Sequence, residues 1–100
     1  MKHIEAEKYY KALANRRRIA ILLFLNEQTK ANVGMISGQI DISFKSTSRH
    51  LQRLKNAGFI SNTQIDLEQW YELTEQSRLF VKQFTEISDA ELTHINVTSD

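Results

Sequence analysis

The chain has no cysteine and no proline, and only three glycines in 100 residues. Without cysteine, neither a disulfide scaffold nor a thiolate metal site can form. No apolar run is long enough to span a bilayer: the longest, Ile19 to Leu25, falls far short of the roughly 20 residues required. The N-terminus, Met1-Lys2-His3-Ile4-Glu5, lacks the apolar core of a secretory signal, so a cytoplasmic location is expected. No repeat or low-complexity segment divides the chain, and its length suits a single domain over residues 1–100. What is present is ordinary for a globular domain: 41% hydrophobic and 25% charged residues. A chain of this size buries roughly two-thirds of its unfolded surface, enough for one core.

A large charge of one sign is also lacking, since the formal net charge is +1. That sum hides a division. Residues 1–58 carry eleven Lys/Arg against four Asp/Glu, a balance of +7. Residues 59–100 carry two against eight, a balance of −6. A basic half suggests nucleic-acid contact confined to that part of the chain.

The hydrophobic pattern predicts helices over 4–14, Arg16–Glu27, Val33–Ile40 and Phe44–Ala57. Asn15, Asn32 and Ser43 stand where N-caps belong. Ile19 to Leu25 makes the second helix apolar almost all round, so it is expected to be the buried centre. Asp41 falls where a tight turn needs a left-handed residue, and Gly58 stops the fourth helix. The period then switches. Phe59–Gln64 and Gln69–Leu73 read as a hairpin joined by the link Ile65 to Glu68. Trp70 and Tyr71 are expected in the core. Thr74 caps a last helix, Glu75–Ile87, bearing Leu79, Phe80, Phe84 and Ile87. Ser88-Asp89-Ala90-Glu91 fits a capping box for a short final helix to about Ile95. The fold class is therefore mostly α with a small β-hairpin: four helices, a hairpin and a last helix.

A short helix, a tight turn and a Ser-capped second helix form a helix-turn-helix over residues 33–57. Thr47, Leu51 and Leu54 are placed inward by their spacing. Phe44, Lys45, Ser46, Ser48, Arg49, Gln52 and Arg53 are then left at outward positions, with no acid between Ile42 and Ile65. Arginine can bond guanine O6 and N7 together, serine can bond a base or a phosphate, and Lys55 can neutralise a phosphate. Arg16 and Arg17, at a helix start beside this surface, are read as phosphate contacts. His50 is assigned a phosphate or side-chain hydrogen bond. Phe44 could touch a thymine methyl, but it is expected to be packed against the protein.

Beyond these local readings, Tyr10-Lys11-Ala12-Leu13-Ala14-Asn15 and Arg18-Ile19-Ala20-Ile21-Leu22 resemble the opening of ArsR/SmtB-type winged-helix repressors. Val33-Gly34-Met35-Ile36, Ile42-Ser43 and Ser46-Thr47-Ser48-Arg49-His50-Leu51-Gln52-Arg53-Leu54 resemble that family's helix-turn-helix. Trp70-Tyr71-Glu72-Leu73-Thr74 resembles its second wing strand. The similarity covers about residues 9 to 75. It implies a winged helix-turn-helix fold with a wing over 59–73, a homodimer built from helices within 1–14 and 75–95, and repression by binding an inverted-repeat operator in double-stranded DNA. It also implies relief by an inducer, which the sequence does not identify. Arg18 stands at the family's constant arginine position and is read as a brace for the fold.

Departures from the family pattern sharpen this. Arg16 replaces a usual proline, and Asp41 replaces the turn glycine. The wing link Gln64-Ile65-Asp66-Leu67-Glu68 has carboxylates where Arg, Lys and Gly are usual, so the wing is expected to be mainly structural. The family's metal sensors use a Cys pair on the third helix or an Asp-x-His on the last. This chain has neither, so no metal and no cofactor are expected. A site shared by His3 and His94 lacks supporting carboxylates. No Cys nucleophile, glycine-rich phosphate loop or His–carboxylate pair suggests an enzyme. The alternative function is a winged-helix protein-interaction module that does not bind DNA and docks a basic partner through its acidic half.

Overall fold

A computed structural model of the chain describes residues 3–83 and 85, with side chains from Ala6 onward. The elements are α1 (His3–Leu13), α2 (Arg16–Gln28), β1 (Ala31–Asn32), α3 (Val33–Ile40), α4 (Phe44–Asn56), β2 (Ile60–Ile65) and β3 (Glu68–Leu73). Residues 75–83 are helical and are labelled α5. Phe84 and Ile87 of the expected last helix, the Ser88–Glu91 capping box and His94 lie outside the described residues, as does the side chain of His3.

Local chemistry sets most of the boundaries. Asn15 Oδ1 accepts from the amides of Arg17 and Arg18, at 2.9 and 3.1 Å, and starts α2. Asn32 Oδ1 accepts from Met35 N at 2.8 Å, and Ser43 Oγ accepts from Ser46 N at 3.0 Å. Asp41 ends α3 in the left-handed region, with φ 61 and ψ 50. Gly58 takes φ 84 after α4. Its amide reaches Lys55 O at 3.0 Å, and the amide of Phe59 reaches Leu54 O at 3.0 Å. These paired bonds satisfy carbonyls that the helix end would otherwise leave open. They end α4 at Asn56, one residue before the predicted boundary.

The sheet differs from the predicted hairpin in two ways. β1 adds a strand, giving the antiparallel order β1-β3-β2. At two residues it is too short to display an alternating pattern. The hairpin is also tighter than expected. Ile65 pairs with Glu68, leaving Asp66 and Leu67 as the turn, with Asp66 at φ 56. An aspartate tolerates that conformation at low steric cost.

The core joins Ile21, Leu22 and Leu25 of α2 to Ile36, Leu51, Leu54, Phe59, Ile60, Leu73 and Val81, all at most 2% exposed. Each such side chain contributes about 1.5–3 kcal/mol by leaving water. The Phe59 ring lies 4.6 Å from that of Tyr9 and 6.3 Å from that of Phe80, tying α1 and α5 to one point. Ser77 Oγ donates to Phe59 O at 2.6 Å, and the Thr74 hydroxyl accepts from Ser77 N at 3.3 Å, so α5 is anchored at its start.

Three burial expectations are corrected. α2 is not buried all round: Ile19 and Leu23 are half-buried at a groove shared with Leu13, Phe80 and Val81, and Phe24 is half-buried at another beside Gln39 and Ile40. Trp70 is half-buried and not part of the core. Strand alternation puts it on the opposite face of β3 from Leu73, between Thr63 and Asn32. Tyr71 does share the inner face but is only partly covered, and burial raises its phenol pKa.

Candidate nucleic-acid interface

The helix-turn-helix is α3, Asp41 and α4. Burial of Thr47, Leu51 and Leu54 fixes the rotation of α4 about its axis. Thr47 Oγ1 also donates to Ser43 O at 2.9 Å, so its hydroxyl is satisfied inside. Outward, Lys45, Ser48, Arg49, Gln52, Arg53 and Lys55 are exposed, and Ser46 is half-buried. Gln52 donates to Asn56 Oδ1 at 3.1 Å. The first turn of α4 carries no acid, and its last turn carries Arg53 and Lys55. Six of the predicted residues thus form one polar, cationic face with Ser46 at its edge.

Phe44 does not pack as expected. It opens α4 at 63% exposed. It borders an open cleft of roughly 340 Å³ between α4 and the wing, together with Ser48, Leu67 and Tyr71.

His50 lies on the other flank of α4 and is half-buried. Its Nδ1 is 3.5 Å from Arg18 Nη1. Burial, and then the charges of Arg18, Arg17 and Arg53, hold its pKa below the usual histidine value of 6.5, so the neutral ring is favoured. Arg18 is 8% exposed. Its Nε donates to Ala12 O at 2.6 Å and its Nη2 to Lys11 O at 2.8 Å. It therefore closes the C-terminal end of α1 and braces the fold, as its position suggested.

Arg16 and Arg17 are exposed at the start of α2. Arg53 and Arg18 also line a groove of roughly 330 Å³ between α1 and α4 with Lys8 and Lys11. Sequence reading did not single out these two lysines. Their signal was a three-residue spacing on one helix face. Lys11 is paired with Glu7 at 2.9 Å on the surface.

The wing has the opposite character. Glu68 accepts from Asn32 Nδ2 at 2.6 Å, and Glu72 lies 3.4 Å from Arg78. Asp66 is exposed at the turn, beside Leu67 at 95% exposed. Among the described residues, no three His, Cys, Asp or Glu side chains are grouped to hold a metal. No helix among them is long and apolar enough to cross a membrane.

Residues 15–62 match the model of the bacterial regulatory proteins of the arsR family. No curated protein matches the chain by sequence. Among solved structures, the homodimeric winged helix-turn-helix DNA-binding domain Mb0332 of Mycobacterium bovis is 26% identical, with a TM-score of 0.81. That alignment covers 90% of this chain and 83% of Mb0332. The transcriptional regulator HlyU of Vibrio vulnificus is 27% identical, with a TM-score of 0.72, over 84% of this chain and 88% of that one. HlyU of Vibrio cholerae, at 24% identity and a TM-score of 0.76, shares the fold over 87% of this chain and 97% of its own. The chain is a winged helix-turn-helix, DNA-binding transcriptional regulator whose residues 15–62 match the arsR family.

Proposed function

We propose that this regulator acts in the cytoplasm as a homodimeric repressor that binds an inverted-repeat operator through α4. The observation that carries this reading is the outward face of α4, where Lys45, Ser48, Arg49, Gln52 and Arg53 are exposed with no acid beside them. Arg49 and Gln52 suit base edges, with Ser46 and Ser48 at the groove wall. Lys45, Arg53, Lys55, Arg16 and Arg17 suit phosphates. His50 supports the reader helix through Arg18. The acidic wing serves mainly as structure.

The dimer is supported by a second surface. Tyr10 is 73% exposed, Leu79 68% and Phe80 42%. Beside them Leu13, Ile19, Leu23, Phe80 and Val81 line an almost wholly apolar groove of roughly 160 Å³. Exposed apolar area of this kind marks an interaction face. Mb0332, with the same fold, is homodimeric. A two-fold pair would set its reader helices about 34 Å apart, one turn of DNA. The reading includes no metal; its inducer is a molecule of unassigned chemistry.

Selection of bound DNA from a random pool, with the mass of the free protein measured by sedimentation, tests the whole. A two-fold symmetric motif and a dimer mass are expected. Enrichment of no symmetric motif would overturn the reading.

A further inference from the structure

We infer that Phe44 is a specificity-determining residue that reads a thymine methyl group in each half-site; this rests on α4 being the reader helix. The side chain stands at the first position of α4, directly after the Ser43 cap, and is 63% exposed. First-turn residues of a helix lying in the major groove are the ones that reach base edges. A phenyl ring has no donor or acceptor for a phosphate or for the polar edge of a base. The one apolar feature of the major groove is the thymine C5-methyl.

The neighbours favour this assignment. Ser48, one turn further on, borders the same cleft between α4 and the wing. Lys45, the next residue, is exposed and can hold the adjoining phosphate. Covering the ring with a base would remove apolar surface from water at the moment of binding, which an isolated Phe44 in the free protein cannot do. The exposed Phe80 lines a different groove, with Leu13, Ile19 and Leu23, so the proposed dimer face does not cover Phe44.

Deoxyuridine in place of thymidine removes only the methyl group. In the selected operator, each thymidine is replaced in turn and affinity is measured for wild type, Phe44→Ala and Phe44→Leu. One replacement per half-site is expected to weaken wild-type binding about three- to five-fold, the scale of one buried methyl. Phe44→Ala should bind both DNAs equally, and Phe44→Leu should retain part of the discrimination. Because the ring is exposed, all three proteins should share one thermal midpoint. Wild-type binding that ignores every replacement overturns the assignment, as does Phe44→Ala keeping the wild-type discrimination. Neither result touches α4 as the reader, which would fail instead if no duplex were retarded even at low salt.

Discussion

Arg18 Nη1 approaches His50 Nδ1 to 3.5 Å across 32 positions of sequence. The same guanidinium holds the last carbonyls of α1. One buried side chain thus links the end of α1, the start of α2 and the middle of α4. Arginine fits because its planar fork presents several donors in fixed directions.

This contact predicts a pH dependence of stability. His50 is held below its ordinary value of 6.5 in the folded protein. Between the folded and ordinary values the unfolded chain binds more protons, so stability rises with pH through that window. It should fall as pH drops below 6.5 and level off below the folded value. His50→Gln should flatten this fall. Urea midpoints of both proteins across the window check it, and equal slopes would count against the assignment.

Replacing the fork by a single ammonium isolates geometry from charge. Arg18→Lys keeps the cation but cannot serve Ala12 O and Lys11 O together with His50. Leaving a buried carbonyl unpaired costs about 1–3 kcal/mol. Stability measured by urea unfolding should fall by about that amount. An unchanged midpoint would mean the brace is dispensable.

Thr29 follows α2 at φ 66 and ψ −57. Lys30 N donates to Gln28 O at 2.7 Å, closing a γ-turn around it. A β-branched residue at positive φ is strained, by about 1–3 kcal/mol. Thr29→Gly should relieve the strain but widen the unfolded ensemble, leaving a net gain of about 1 kcal/mol. Thermal unfolding should show a raised midpoint; a lowered one would refute the strain.

On DNA, Arg49→Ala and Lys55→Ala should behave differently. Losing a base-reading arginine relaxes sequence preference by about 1–3 kcal/mol at one position of each half-site. Losing a phosphate contact weakens all duplexes alike and lowers the salt slope by about one. Titrations of specific and unrelated duplexes at several salt concentrations separate the two. Identical behaviour of both variants would refute the division of roles.

The parts legible in the sequence are those set by neighbours along the chain. Asn15, Asn32 and Ser43 cap helices because a side-chain oxygen reaches an amide two or three residues on. Asp41 and Gly58 end helices because each tolerates positive φ. The outward face of α4 was legible because three buried positions on a regular helix determine where the others point. β1 was not, since its two residues form a strand only by pairing with Tyr71 and Trp70.

Burial at the edges was the least legible property. Phe44 and Leu79 have the composition of core residues, yet both are exposed. Trp70 looked internal and lies on the outer face of β3.

The sequence by itself determined the helix starts at Arg16, Val33 and Phe44, the helix-turn-helix and the basic surface of the first half, because those follow from short-range hydrogen bonds, helical periodicity and local charge. Only the tertiary structure decided that Arg18 meets His50, that the wing carboxylates of Glu68 and Glu72 are engaged by Asn32 and Arg78, and that Phe44 faces open space beside the wing. Those relationships join residues far apart in the chain. They depend on how α4, α2 and the sheet are packed, which no local pattern encodes.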